Sequence, residues 1–333
     1  IALDRIFYPE FMSSSPSDPV FIVGNYRSGS TFLHRLLLRD PQFTCMKAWE
    51  IYFAPSIFHR KLVRLMLRIS RRIGSPFQKA VRAFDQLMND IYPMHKTGLV
   101  TYEQDSQLFY HTWSSFNLFA IFPFPELARK YIYYDQLVPE QEKERHFGYY
   151  REIIKRHSFL HNGQRYLSKN PDFAPAVKTL LDKFPNAKFI NLVRPPEGML
   201  PSSVNLWAGN WKGYGSPKEK YPLVDVIKEY ARHWYEYPGK ALSELPEDRY
   251  SVVHFQDLVT NPKKEVSRIY QRFGLEIGEE FLEILEEETI KSRRYNGNNH
   301  YPLPDMGLSI EGIREEFADV YGPYQLHQLR REP

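Results

Sequence analysis

The five residues Arg27-Ser28-Gly29-Ser30-Thr31 place a cation, a glycine and three hydroxyls side by side, a combination suited to holding an anion. They follow the apolar run Pro19-Val20-Phe21-Ile22-Val23 and Gly24, and lead into Phe32-Leu33-His34-Arg35-Leu36-Leu37-Leu38, whose apolar spacing predicts a helix. In such a strand–turn–helix the glycines permit positive φ, the amides of Gly29 to Phe32 converge, and the helix N-terminus adds partial positive charge. The spacing from Gly24 to Gly29 to Thr31 is that of a phosphate loop. Ser30, however, stands where a nucleoside-triphosphate site carries its lysine, and the cation comes three positions earlier at Arg27. That lysine reaches the β- and γ-phosphates and its hydroxyl neighbour holds magnesium, so a loop with Arg27 instead suits a shorter anion without a metal.

A second anion-binding element lies further along. Ala187-Lys188-Phe189-Ile190-Asn191-Leu192-Val193 reads as a buried strand, ends in Arg194-Pro195-Pro196, and precedes a helical segment containing Ser202 and Ser203. An Arg fork binds two phosphate oxygens and a Ser hydroxyl donates to a third. A third stretch is Tyr166-Leu167-Ser168-Lys169-Asn170-Pro171, followed by a helix-like segment and Phe184-Pro185-Asn186-Ala187.

On these residues the chain resembles the sulfotransferases that use 3′-phosphoadenosine 5′-phosphosulfate (PAPS), and in particular the bacterial-type members. The likeness runs on through Phe255-Gln256-Asp257-Leu258-Val259-Thr260-Asn261-Pro262 and His300-Tyr301-Pro302-Leu303-Pro304-Asp305-Met306-Gly307-Leu308, and so spans nearly the whole chain. It implies that Arg27, Ser28, Gly29, Ser30 and Thr31 surround the 5′-phosphosulfate, that Phe32 stacks on the adenine, and that Arg194 and Ser202 grip the 3′-phosphate. Trp207 and Trp211 are further stacking candidates. Arg27 and Lys169 are the cations expected at the leaving oxygen, where charge builds during in-line transfer. Lys169 could equally be an ordinary strand-end lysine in water. An alcohol acceptor needs a base, which in this family comes from an insertion. Met94 to Asp105 resembles the family's segment, with Tyr102 in place of its usual Pro and Asn170 in place of Ser in the Lys-Ser-Pro element. Glu103 is the first candidate for the base, His95 the second and Asp105 the third. The product would be 3′-phosphoadenosine 5′-phosphate (PAP), and no metal is expected, since the histidines lack ligand spacing.

At 333 residues, with 42% hydrophobic and 15% aromatic residues, the chain can bury a large core. The expected architecture is α/β: a P-loop-like parallel sheet flanked by helices, with a large helical insertion forming the acceptor-site cover, all within a single domain over 1–333. Strands are expected at Val20–Val23, Phe43–Lys47, Tyr166–Ser168, Lys188–Val193 and Tyr250–Phe255. Helical insertions are expected over about 55–161 and 209–245, with a mobile loop over 209–222. Cys45 is the only cysteine, which excludes an intramolecular disulfide, and no Asn-x-Ser/Thr acceptor occurs. Both features point to a cytoplasmic setting, with any anchor upstream of Ile1 not visible. A net charge of +4 suits a nucleotide cleft, and no nucleic-acid motif is present.

Within the insertion, residues 57–84 interleave eight Lys or Arg residues with apolar ones and contain no acid. Two readings are open: a solvated basic face over an apolar face packed on the core, or peripheral contact with an anionic membrane. The aromatic insertion favours a large amphipathic or lipid-like hydroxyl acceptor over a small sugar. Two further functional classes stay open, a non-catalytic PAP(S)-binding or membrane-docking module and, less in keeping with Ser30 and Arg194, a kinase-like phosphotransferase. The sequence carries no signal for oligomeric state.

Overall fold

The computed structural model describes residues 1–14, 18–91, 98–292 and 300–326. Five strands form one parallel sheet in the order β2-β3-β1-β4-β5: β1 (Val20–Gly24), β2 (Phe43–Thr44), β3 (Arg165–Lys169), β4 (Lys188–Val193) and β5 (Tyr250–His254). Each expected strand is present. The edge strand β2 stops at Thr44, short of the expected Lys47, because Lys47 instead bridges antiparallel to Tyr102.

The apolar runs of β1 and β4 lack the alternation of a half-exposed sheet because both faces are covered. Phe21 and Val23 join Phe189 and Val193 in the core on one face, while Val20 and Ile22 join Ile190 and Leu192 in the core on the other. Each such fully buried side chain contributes about 1.5–3 kcal/mol. Chain order reverses at β1, since β2 and β3 lie to one side and β4 and β5 to the other. That reversal opens a crevice at the carboxyl ends of the strands, where open α/β sheets bind ligands.

The helices begin with α1 (Ala2–Phe7) and with α2 (Ser30–Leu37), which buries Leu33, Leu36 and Leu37 against the sheet. Between β2 and β3 the described residues are helical or irregular: α3 (Ala48–Tyr52), α4 (Ile57–Arg72), α5 (Pro76–Ile91), α6 (Pro125–Ile132), α7 (Tyr134–Leu137) and α8 (Glu140–Leu160). After β3 come α9 (Val177–Lys183), then, beyond β4, α10 (Pro196–Tyr214) and α11 (Val224–Ser243). Residues 209–214, expected in a loop, complete α10, which ends at Gly215 with φ of 77°. The chain closes with α12 (Phe255–Thr260), α13 (Pro262–Phe273), α14 (Glu279–Ser292), α15 (Ile310–Glu316) and α16 (Ala318–Tyr321).

Two devices fasten the insertion. Phe116 packs edge-on to Trp207, Tyr230 and Trp234 with ring centroids 5.5, 5.5 and 5.0 Å away, joining the insertion to α10 and α11. At the other end the buried Asp4 of α1 accepts the backbone amides of Ile57 and Phe58 at 3.2 and 2.9 Å and pairs with buried Arg156 of α8 at 2.8 Å. One carboxylate thus serves the N-terminus of α4 and neutralises a buried cation.

Candidate active site

The loop after β1 has the backbone its glycines allow. Gly24 has φ of 119°, and a Cβ there would lie 2.2 Å from the carbonyl oxygen of Leu192 in β4. Gly29 has φ of 91° and caps α2 without any side-chain hydrogen bond, leaving the first-turn amides for a ligand. Arg27 itself sits at φ of 64°, a conformation that costs a non-glycine residue energy and persists only where its surroundings impose it. The Ser28 hydroxyl is fully buried and has no hydrogen-bond partner among the described residues. A buried hydroxyl without a partner, beside a free helix N-terminus and a cation, fits a bound anionic group.

Two side chains from distant segments, Ser202 and Arg194, meet this loop. Arg27 donates from Nε to the Ser202 Oγ at 3.0 Å, and the Tyr301 hydroxyl donates to the same oxygen at 3.0 Å. Arg194, at the end of β4, donates from Nη1 to the Arg27 carbonyl at 2.9 Å and lays its guanidinium over the Phe255 ring, 4.4 Å from the centroid. Burial pushes the Arg194 pKa down from its ordinary value, which leaves the group a cation at neutral pH. Residues 175 positions apart thereby share one hydrogen bond.

Lys169, at the end of β3, is buried, not exposed to water, with its Nζ 3.5 Å from the Thr31 hydroxyl. Burial lowers its pKa, and the Glu103 carboxylate opposes that shift. Glu103 is itself buried and accepts from the Thr101 hydroxyl at 3.4 Å. Behind the loop, burial first and Lys169 second push His34 down to about 3, so it is neutral at pH 7. His95 lies outside the described residues. Asp105, the third candidate base, is fully enclosed: Tyr150, Tyr166 and Ser168 donate to it at 2.6, 2.6 and 2.9 Å, and Asn170 donates as well. Those four donors occupy the carboxylate, and Asp105 braces the insertion against β3 instead of facing an acceptor.

These elements surround a cleft of about 820 Å³. Arg27, Gly29, Ser30, Thr31 and Phe32 line one part with Lys169, Arg194 and Ser202, while Tyr52, Tyr110, Ile121, Leu206 and Tyr214 line an apolar and phenolic part. Trp207 also reaches the wall, but its Nε1 donates to the Tyr230 hydroxyl at 3.0 Å; Trp211 donates to the Phe119 carbonyl at 3.0 Å. Both indoles are buried in the core, with partners already made.

Three residues entered the site that sequence reasoning did not single out. Phe255 supports Arg194 from the carboxyl end of β5, a position the ligand rule for parallel sheets could have flagged. Tyr301 steadies Ser202. Asp172 accepts from Gln104 and Ser106, each at 2.9 Å, and from Tyr26 and Asn117, so it orders three cleft-lining side chains. Burial raises its pKa to about 6.

Comparison with known proteins agrees with this architecture. The chain is 26% identical over 318 residues to the omega-hydroxy-beta-dihydromenaquinone-9 sulfotransferase Stf3 of Mycobacterium bovis, covering 93% of this chain and 76% of that protein. The same match holds for Stf3 of Mycobacterium tuberculosis. Among solved structures, the fold is shared with sulfotransferase STF1 of M. tuberculosis at a TM-score of 0.75, with 21% identity over 96% of this chain and 81% of that one. It is also shared with STF9 of Mycobacterium avium at 0.77, with 17% identity over 99% and 82%. The model of the sulfotransferase family matches residues 19–279, from β1 to the start of α14, and the chain therefore belongs to the sulfotransferase family.

Proposed function

We propose that the whole chain acts as one catalytic domain that transfers the sulfuryl group of PAPS to the hydroxyl of a lipid-like alcohol. The observation that carries this reading is the meeting of Arg27, Ser28, Lys169, Arg194 and Ser202 at the carboxyl ends of the sheet, beside an apolar and phenolic half-cleft. The two halves suit the two substrates. The loop after β1, with Arg27 and Lys169, would hold the 5′-phosphosulfate. Arg194 and Ser202 would hold the 3′-phosphate, and Phe32 the adenine. The acceptor would enter beside Tyr52, Tyr110 and Tyr214. Stf3, by its name, acts on a hydroxylated dihydromenaquinone, which supports an acceptor of this kind.

In the reaction the acceptor oxygen forms a bond to sulfur as the bond from sulfur to the 5′-phosphate oxygen breaks. PAP leaves, and the acceptor proton passes to a base. Glu103 takes that role in this reading, with His95 the alternative, and the carboxylate would act beside the buried Lys169 cation, whose lowered pKa it opposes. Arg27 and Lys169 meet the charge that develops on the departing phosphate, and no metal enters the scheme. A reducing cytoplasmic setting suits the single buried Cys45.

Calorimetric titration with PAP and with ATP, in EDTA, tests the donor site. Wild-type protein is expected to bind PAP far more tightly than ATP without metal, and Arg194→Ala to lose most of that affinity. Glu103→Gln is expected to keep PAP binding and lose about 10²–10⁴-fold in PAPS turnover. Equal binding of PAP and ATP, or an Arg194→Ala variant that binds normally, would overturn the assignment.

A further inference from the structure

The hairpin formed by α4 and α5 turns its apolar stripe outward. Leu62, Leu65, Met66, Ile69 and Ile73 recur at intervals of three and four residues along one side of α4, and all five are exposed, Ile69 at 53% and Ile73 at 69%. Phe77, Phe84 and Leu87 extend the exposed surface onto α5. The reading of these residues as a face packed on the core is thus corrected: the hairpin's inner side is already filled by Ser70, which donates to Gln78 at 2.8 Å and accepts the Phe77 amide at 3.1 Å, and by Gln78, which donates to the Leu67 carbonyl at 3.2 Å.

The charges around the stripe say what covers it. Lys61, Arg68, Arg71 and Arg72 on α4 and Lys79 and Arg82 on α5 are exposed, and none of these six forms an ion pair with a described residue. No acid lies on α4, and Asp85 of α5 accepts the Leu99 amide at 2.8 Å. A protein partner, or a second copy of this chain, would have to bury or neutralise these cations with acids of its own. Helix α4 has no acid of its own to offer in exchange. A surface that is both anionic and apolar beneath satisfies the stripe and the cations together, because long basic side chains keep their charge at the headgroup level while the stripe enters the acyl region.

We propose that the α4–α5 hairpin docks this protein onto an anionic lipid bilayer. The contact continues toward the cleft. Tyr52 of α3 lines the cleft, Phe53 beside it is 65% exposed, and α4 begins at Ile57. Phe7, exposed on α1, stacks on Phe58 with centroids 5.6 Å apart, and Leu3 and Ile6 are exposed beside it. That the docked hairpin delivers a lipid-like alcohol to the cleft rests on the function proposed above; the docking itself does not.

The test is co-sedimentation of the purified chain with phosphatidylcholine vesicles, with and without phosphatidylglycerol, at low and raised salt, with no acceptor or nucleotide present. Binding is expected only where phosphatidylglycerol is included, weakening with salt. Ile69→Glu/Ile73→Glu and, separately, Arg68→Glu/Arg71→Glu should each lower it about tenfold or more. All four positions are exposed, and unchanged circular dichroism confirms that the variants fold. No binding by folded wild type, or equal binding by the variants, would overturn the proposal. So would light scattering that shows a dimer dissociated by Ile69→Glu/Ile73→Glu together with no vesicle binding, because a second copy would then be the occupant. Vesicle binding by a protein that fails to bind PAP would leave the docking intact and remove the proposed function; PAP binding without vesicle binding would do the reverse.

Discussion

Replacing Gly29 by alanine adds one methyl group against the Phe255 ring, in the loop after β1. At φ of 91° the alanine would enter the left-handed region, which costs an L-residue about 1–2 kcal/mol; the smaller freedom of alanine in the unfolded chain offsets about 0.4–1 kcal/mol of that. The new Cβ would stand 2.9 Å from Cδ2 and 3.3 Å from Cε2 of Phe255, against an optimum of about 3.5–4.0 Å for carbon pairs. The ring must retreat, and overpacking of this kind costs about 1–3 kcal/mol. Together these come to about 1–5 kcal/mol, expected as a fall in Tm of roughly 2–7 °C in a chain of this size. Because Arg194 lies on that ring, its guanidinium should shift too, and PAP affinity should fall about tenfold or more. Thermal unfolding followed by circular dichroism gives the first number and calorimetry the second. Gly29→Ala/Phe255→Leu should recover the packing part of the loss and keep the backbone part, giving a non-additive cycle. A single variant with wild-type Tm, or a strictly additive cycle, would refute the contact on which the reasoning rests.

Two other substitutions probe groups outside the phosphate loop. Burial raises the Asp172 carboxyl from 3.8 to about 6, so the folded state holds its proton more tightly than the unfolded chain does. Its contribution is therefore most favourable below about pH 4, declines as pH rises toward 6, and costs about 3 kcal/mol above that. In urea titrations across this range, wild type should lose stability relative to Asp172→Asn as pH rises, and a pH-independent difference would sink the assignment. Asp4→Ala should cost about 3 kcal/mol, because it leaves the buried Arg156 with the half-exposed Glu152 as its ion-pair partner among the described residues and frees the amides of Ile57 and Phe58. PAP binding should be unchanged, since Asp4 does not line the cleft; a loss of PAP affinity would contradict that separation.

Where the determinants are local, the chain is legible as written. Arg27 to Thr31 can be read because a strand, a glycine turn and a helix follow one another within twenty residues, and β4 leading to Arg194 and on to Ser202 is the same kind of short-range pattern. The buried runs of β1 and β4 announce a covered parallel sheet for the same reason.

Other features exist only once distant segments meet. Nothing near Ser202 says that Arg27 and Tyr301 share its hydroxyl, nor does Arg194 itself reveal the Phe255 ring beneath it. Asp105 had the right type and neighbourhood for a base, yet Tyr150, Tyr166, Ser168 and Asn170, all remote in sequence, close around it. Lys169 could be read as exposed or buried until β3 was set inside the sheet. The stripe on α4 makes the point most directly: its spacing defines an apolar face but not what that face touches. Periodicity is a property of one helix, whereas burial depends on the surfaces that the rest of the chain brings to it. By itself the sequence determined the glycine loop after β1, the strand end at Arg194 and the strands of the sheet; the tertiary structure decided which charges are buried, which are already paired, and which apolar face is left exposed.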